Sequence, residues 1–149
     1  MTTYNFTNSS ISTMKKPHDT TPRGFECFIL RNIIDTTKQN IANDASVIQA
    51  LNVPADVTVL ACFLNVLTPD ATGGTFELGV TTDAAAHWGT DWAMTAGIDE
   101  PATTPVYNPW YFAAANTIDL TEDGAQIIDE AIFEIIALCV KSSATVDAE

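Results

Sequence analysis

Two apolar runs rich in β-branched residues flank a short break, and they form the clearest pattern along the chain. Within the break, Pro54 has no amide hydrogen and biases Val53 away from helical geometry. Asp56 is a turn-forming residue that can bond its own backbone. The pattern therefore predicts a strand over residues 47–51, a tight connection, and a second strand over residues 57–67.

The second predicted strand is apolar on both of its alternating faces, which is typical of a strand in the middle of a structure. Two arrangements remain open. In both, one face packs on a sandwich core. The second face lies either under a covering loop or against a neighbouring subunit. The two faces consist of Val57, Val59, Ala61, Phe63 and Leu67 on one side and Leu60, Cys62, Leu64 and Val66 on the other.

A turn signal over residues 68–74, with Pro, Asp and paired Gly, precedes a cleanly alternating segment. Phe76, Leu78 and Val80 share one face of this segment, so residues 75–80 are predicted to form a half-buried strand. We expect it to pair back onto residues 57–67 as a hairpin.

The C-terminal apolar run carries two competing patterns. Apolar pairs recur at intervals of about four over residues 127–140, which indicates a helix. Residues 132–140 are instead β-branched and aromatic, which favours a strand in which Ile132, Ile136 and Val140 alternate along one face that Glu134 interrupts.

Several short strands at fairly regular spacing, including residues 25–34 and 116–121, predict an all-β fold. We expect an antiparallel β-sandwich of jelly-roll type over residues 25–141. Residues 1–24 are rich in Thr, Ser and Asn and are predicted to form an extended N-terminal arm without a regular element of its own. Two interpretations remain open: a disordered tail, or an arm that becomes ordered on a neighbour. Residues 142–149 are predicted to be a polar tail.

The net charge of −13 is unevenly distributed along the chain. The first 38 residues hold five basic and three acidic residues, a charge of +2, and the remaining 111 hold one basic and 16 acidic residues, a charge of −15. An acidic body repels nucleic acid, so neither DNA nor RNA is expected as a partner. Solubility alone explains the acidity, or the basic arm docks on an acidic neighbour.

Targeting signals and thiols add little to this picture. No apolar run reaches the roughly 18 residues of a membrane span, and no signal sequence is expected, so the chain is predicted to stay off membranes. Cys27, Cys62 and Cys139 each lie in an apolar run without C-x-x-C spacing. They are predicted to be buried free thiols, which fits assembly in a reducing cytoplasm.

Candidate chemistry is sparse. Asp83, His87 and Asp91 are spaced by four and could share a helix face around a metal ion, but the set is small and Gly89 weakens a helix. A surface loop is the favoured interpretation. The chain has no nucleophile elbow, P-loop or dinucleotide fingerprint. We therefore expect no enzyme, no metal and no cofactor.

Aromatic residues gather in and after a long stretch without periodicity, residues 81–109, where one short strand is predicted near residues 92–95. A loop of this length is usually functional or folded over a partner. Three interpretations remain open: core packing, a protein contact rich in Trp and Tyr, or a platform that stacks sugars. The cluster comprises Trp88, Trp92, Tyr107, Trp110, Tyr111 and Phe112.

The pattern VIQALNVPADVTVL…LNVLT…GGTFELG, followed by YFAAANTIDLT and a β-branched C-terminal run, resembles a family of small tailed-phage virion proteins. The resemblance covers about residues 46–140 and favours a strand for the C-terminal run. One departure is the loop after the GGT strand, which reads GVTTDA here where relatives carry a Gly/Asp-rich loop.

The resemblance implies a structural protein of the capsid surface, a decoration or cement protein that binds the major capsid protein and assembles as a homotrimer. The alternative is a carbohydrate- or receptor-binding module of a phage tail or fibre. In the first case the arm would clamp a neighbour and the aromatic cluster would contact the shell or the next copy. The predicted contact residues are Tyr4, Phe6, Lys15, Lys16 and Arg23 in the arm and Trp88, Trp92, Tyr107, Trp110 and Tyr111 in the cluster.

Overall fold

A computed structural model of the chain describes residues 3–5, 10–13, 25–38, 46–71, 74–80, 86–94, 97–98, 107–122 and 128–142. Within these ranges the chain forms strands and one short 3-10 helix, Thr36–Lys38. The strands are β1 Thr3–Asn5, β2 Ser10–Thr13, β3 Phe25–Asp35, β4 Val47–Val53, β5 Val57–Thr68, β6 Thr75–Gly79, β7 Trp92–Ala93, β8 Gly97–Ile98, β9 Tyr107–Phe112, β10 Asn116–Glu122 and β11 Ile132–Ser142. No helix in the described part of the chain is long and apolar enough to cross a membrane.

The strands form two sheets packed as a sandwich. Sheet I has the order β1-β4-β10-β6-β7, and sheet II has the order β2-β3-β11-β5, with β8 and β9 both on the far edge of β5. All described pairings are antiparallel except β1 with β4.

The connectivity is that of a jelly roll. With the short strands β1, β2 and β8 set aside, sheet II contains the first, eighth, third and sixth strands side by side, and sheet I contains the second, seventh, fourth and fifth. The chain therefore changes sheets at every connection except β6 to β7, which gives a closed two-layer structure. The predicted all-β antiparallel sandwich is confirmed.

Most of the predicted strands are present, but the predicted hairpin is wrong. β6 lies in sheet I, where it pairs with β10 and β7, whereas β5 pairs with β11 in sheet II. The turn after β5 therefore carries the chain from one sheet to the other. This crossing lets Phe76 of β6 meet Phe133 of β11 across the core, with ring centroids 5.7 Å apart.

The two-sided apolar pattern of β5 has a local cause. Along β11, Leu138 pairs with Ala61 and Cys139 pairs with Val59, so Leu60 is an extra residue in β5. Such a β-bulge changes whether the odd-numbered or the even-numbered residues of the strand face the core. Val57 and Val59 are buried before the bulge, and even-numbered residues are buried after it: Cys62, Leu64 and Val66.

A second irregularity links the two sheets. β10 pairs its Ile118 with Leu51 and its Asp119 with Gln49, which leaves Ala50 as the extra residue of β4. The side-chain amide of Asn32, a buried residue of β3 in the opposite sheet, donates to the Ala50 carbonyl at 2.9 Å. A buried carbonyl without a partner is costly, so this bond helps to fix the alignment of the two sheets.

Two further predictions need correction. The arm is not without regular structure, because β1 adds to the edge of sheet I and β2 to the edge of sheet II, where they satisfy open backbone groups. The stretch before Pro109 is not all loop, because β9 begins at Tyr107. Pro109 obscured this strand in the sequence, yet β9 is an edge strand, where proline is tolerated.

Candidate protein-contact face

The outer face of sheet II is formed by the alternate residues of its strands that point away from the core. Along β11 the residues Phe133, Ile135, Ala137 and Cys139 are buried, so the even-numbered residues between them point outward. The cross-strand register places the outward residues in four rows: Ile33, Glu134 and Asn65; Arg31, Ile136 and Phe63; Ile29, Leu138 and Ala61; and Cys27, Val140, Thr58 and Tyr111.

Most of these side chains are apolar, and several are open to solvent. Ile33 is 52% exposed and Tyr111 is 58% exposed, and Leu67 near the end of β5 is 50% exposed. In the middle of the face, Ile136 and Leu138 are partly exposed. Monomeric proteins rarely leave a contiguous apolar patch on a whole sheet face, and such patches usually mark interaction sites.

One ion pair lies inside this apolar surface. The Arg31 guanidinium contacts the Glu134 carboxylate, and their side chains are 49% and 11% exposed. Arg31 lies opposite Ile136 and Glu134 lies opposite Ile33, so the two charged residues are diagonal neighbours on adjacent strands. The pair leaves the outer face of sheet II with no net charge at its centre.

Tyr111 is fixed at the rim of the face. Its hydroxyl donates to Oδ1 of Asp56 at 3.0 Å, which raises the pKa of the Tyr111 phenol because the carboxylate favours the protonated form. Asp56 itself has a φ of 60° in the predicted turn between β4 and β5, and its amide donates to the Phe112 carbonyl at 2.8 Å. An aspartate tolerates this left-handed conformation better than most residues.

The outer face of sheet I has the opposite character. Its register aligns Gln49 with Asp119, Asn52 with Thr117, and Thr121 with Glu77. Alternation of polar residues on one side with Ile48, Leu120 and Leu78 on the core side is the ordinary pattern of a sheet with one polar face, although Asp119 on the polar side is itself buried. The outer positions of sheet I are Gln49, Asn52, Thr75, Glu77, Gly79, Thr117, Asp119 and Thr121, with Val47 and Ala93 as apolar exceptions.

Two of the predicted contact residues belong to the core instead. Trp88 and Trp92 are both 0% exposed, so neither indole can touch a partner while the sandwich is folded. Their burial follows from the amount of apolar surface that each carries, together with the hydrogen bond that Trp88 Nε1 donates to the Asn108 carbonyl at 2.8 Å. The core-packing interpretation of these two residues is confirmed.

Trp110 is half-buried and packs against the core rather than projecting into solvent. The His87 ring lies between two indoles, with centroids 4.8 Å from Trp88 and 4.7 Å from Trp110. The Asn108 side-chain amide donates to the His87 carbonyl at 3.1 Å. This cluster ties the segment before β7 to β9, and its bonds indicate a structural role.

The other predicted contact residues have little or no description in the structure. Tyr4 lies in β1 and Tyr107 begins β9, where only their backbone pairing is described. The remaining arm residues lie outside the described part of the chain: Phe6, Lys15, Lys16 and Arg23. Of the ten predicted residues, Tyr111 is the one whose described side chain lies exposed on the outer face of sheet II.

The three cysteines fall into two classes. Cys62 and Cys139 are buried, and burial raises the pKa of both thiols, that of Cys139 to about 12. Cys27 is exposed on the outer face of sheet II, so the prediction that all three thiols are buried is wrong for this residue. All three are free, as expected.

Within the described ranges, no group of three or more His, Cys, Asp or Glu side chains could hold a metal ion. The candidate metal ligands His87 and Asp91 do not lie on a helix, because residues 86–94 form a turn and the strand β7. The third candidate, Asp83, lies outside the described residues. The buried Asp70 carboxylate accepts bonds from the amides of Asp129 and Glu130 at 3.0 and 3.1 Å, which anchors the start of β11.

Comparisons with protein-family models, with curated proteins and with solved structures found no match to this chain. A role for the outer face of sheet II must therefore be argued from the residues that form it. A sheet face of Ile, Leu, Val and Phe side chains around one neutralised ion pair can exclude water against another protein surface. It offers no unpaired acid and base at its centre for proton transfer.

Proposed function

We propose that this chain is a structural protein of a virion, a capsid decoration or cement protein that works through contacts between folded surfaces. The observation that carries the proposal is the apolar outer face of sheet II, because a surface of this kind serves protein contact. The jelly-roll sandwich and the resemblance over about residues 46–140 support the same role, although a fold by itself does not define a function.

In this proposal the protein is located on the capsid surface and its partners are the major capsid protein and other copies of itself. The resemblance implies three copies per assembly. The arm residues Tyr4, Phe6, Lys15, Lys16 and Arg23 stay the predicted attachment to the shell. Deletion of residues 1–22 is then expected to weaken attachment while the sandwich remains folded, and unchanged attachment would contradict the arm's role.

The alternative, a sugar-binding module of a tail or fibre, depended on exposed rings in the aromatic cluster. Stacking on a sugar requires exposed aromatic rings, whereas Trp88 and Trp92 are buried and Trp110 packs against the core. Tyr111 is the one exposed ring of the cluster among the described side chains, and a single ring is a small platform. We therefore do not propose this function.

Copy number in purified virions tests the proposal directly. Quantitative mass spectrometry of the particles is expected to show one copy per major capsid subunit, or a simple fraction of that number. A handful of copies per particle would indicate a tail or fibre component instead. Absence from the particles would overturn the proposal.

A further inference from the structure

We propose that the outer face of sheet II is the surface through which one copy of this chain binds another. The inference rests on the proposed structural role and adds the partner that this face accepts. Three properties of the face favour a second copy over a different partner: its charge relative to the rest of the chain, its size and shape, and the donors that Arg31 still offers.

Charge is the first reason. Each copy carries a net charge of −13, so two copies repel wherever their acidic surfaces approach. The charged residues on the strands of sheet I are all acidic and include Asp119 and Glu77. On sheet II each acidic residue has a basic one beside it: Arg31 pairs with Glu134, Lys38 pairs with Asp35, and Lys141 is aligned with Glu26. Among the described surfaces, the outer face of sheet II is where two acidic copies can approach at the lowest electrostatic cost.

Size and shape are the second reason. Four strands about 4.8 Å apart, with four outward rows about 6.8 Å apart, give an area of roughly 500 Å² per copy. Specific interfaces begin at about 600 Å² per partner, so the face supplies most of the area that a specific contact needs. Sheets pack face to face through apolar side chains about 10 Å apart, which is the arrangement already present inside this sandwich.

The ion pair supplies the third reason. A guanidinium carries five N–H donors, more than one carboxylate can accept. Because the Arg31 side chain is half-exposed, its guanidinium is accessible to an acceptor on an acidic neighbour. An acidic second copy presents such acceptors, and the contact then has a polar element that sets its alignment.

The test uses the purified full chain and a matched pair of substitutions. Ile33→Glu adds a carboxylate to the outer face of sheet II at a half-exposed position, and Thr117→Glu adds the same charge to the outer face of sheet I. Sedimentation velocity should show a homo-oligomer for the unsubstituted chain and for Thr117→Glu. Ile33→Glu should raise the dissociation constant by about 10-fold or more. Circular dichroism and thermal melting confirm that the variants fold, and Leu67→Glu replaces Ile33→Glu if the latter does not.

Cys27 provides an independent readout, since it lies on the same face opposite Val140. Alkylation of Cys27 by N-ethylmaleimide should be slow in the oligomer and about 10-fold faster in Ile33→Glu, while Thr117→Glu should leave it slow. Because like-charged copies repel, raising the salt from about 0.02 M to about 0.5 M should strengthen association. An association that weakens over this range would indicate a contact held mainly by opposite charges rather than by the apolar rows, and would contradict the proposal.

A chain that stays monomeric at its highest soluble concentration, or an oligomer that Ile33→Glu leaves intact, overturns the inference. These outcomes are separate from the test of virion attachment. Self-association through this face in a protein absent from virions supports the contact and removes the virion role. A monomeric protein that is abundant in virions supports the virion role and overturns the contact between copies.

Discussion

The two outer faces of the sandwich come from the same chain and the same pleat, yet they have opposite surfaces. On sheet I, the polar residues Thr117, Asp119 and Thr121 of β10 alternate with the apolar core residues Ile118 and Leu120, as expected of a sheet with one polar face, although Asp119 is itself buried. On sheet II the central strand β11 is apolar on both sides, with Glu134 as the one charged outward residue before its end at Lys141.

In the proposed role, this difference divides the sandwich into a polar sheet face and an apolar sheet face that contacts another copy. The acidic residues outside the face keep the protein charged, and net charge opposes nonspecific association. The outer face of sheet II keeps an apolar surface whose central charges, Arg31 and Glu134, neutralise each other. Removal of core residues should therefore affect folding, whereas changes on this face should affect association more than folding.

The largest expected effect comes from a residue that lies on neither outer face. Trp88→Ala removes a fully buried indole and its hydrogen bond to the Asn108 carbonyl, so we expect a loss of about 3–5 kcal/mol in the free energy of unfolding. Urea denaturation followed by circular dichroism measures this loss. The control is Tyr111→Ala at an exposed position, which should change stability far less. A Trp88→Ala variant that is stable but impaired in self-association would instead show that Trp88 takes part in the contact between copies.

The sequence was sufficient to predict the sandwich because strand signals are local. Alternation in residues 75–80 and the break at Pro54 depend on neighbouring residues only, and both elements are present in the structure. The pairing of β5 was mispredicted, because a sheet partner is chosen by tertiary contacts that a turn signal does not encode. The bulge at Leu60 could not be predicted either. A run that is apolar at every position looks the same in the sequence whether both faces of a regular strand are covered or a bulge turns first odd-numbered and then even-numbered residues toward the core.

The candidate face was only partly visible in the sequence. The alternating set Ile132, Glu134, Ile136 and Val140 was apparent, but nothing local distinguishes an inward set from an outward one when both are apolar. The structure assigns the other set, which includes Phe133 and Ile135, to the core. For the aromatic residues, composition left burial, protein contact and sugar stacking open, and tertiary packing buries the two indoles of Trp88 and Trp92.

The second prediction concerns the ion pair that distinguishes the two faces. Arg31→Leu leaves the nearly buried Glu134 carboxylate without its guanidinium, and we expect a loss of about 1–2 kcal/mol, because Arg31 is itself half-exposed. The double variant Arg31→Leu/Glu134→Leu should recover most of this stability, because no nearly buried carboxylate is then left without its partner. Urea denaturation of the four proteins, with sedimentation velocity, gives the coupling between the two residues.

Additive effects in that cycle would show that the ion pair contributes nothing to stability. Unchanged association of the double variant would show that Arg31 donates no bond across the contact between copies. The matched control is Thr117→Leu, which adds an apolar side chain to the outer face of sheet I. It should leave self-association unchanged, because its surroundings on that face are polar.

The smallest expected effect is a pH dependence at the rim of the outer face of sheet II. The hydrogen bond from Tyr111 to Asp56 raises the pKa of the phenol above its ordinary value of about 10. Its stabilisation is therefore fully present below that pH and is lost as the pH rises through the folded-state pKa. Asp56→Asn should lower the pKa in a phenolate absorbance titration, with Tyr111→Phe identifying which of the three tyrosines titrates. An unchanged titration in Asp56→Asn would contradict the bond. Since the hydroxyl donates its proton to Asp56, Tyr111 has no donor left for a second copy and contributes mainly its ring, so Tyr111→Phe should associate as the unsubstituted chain does.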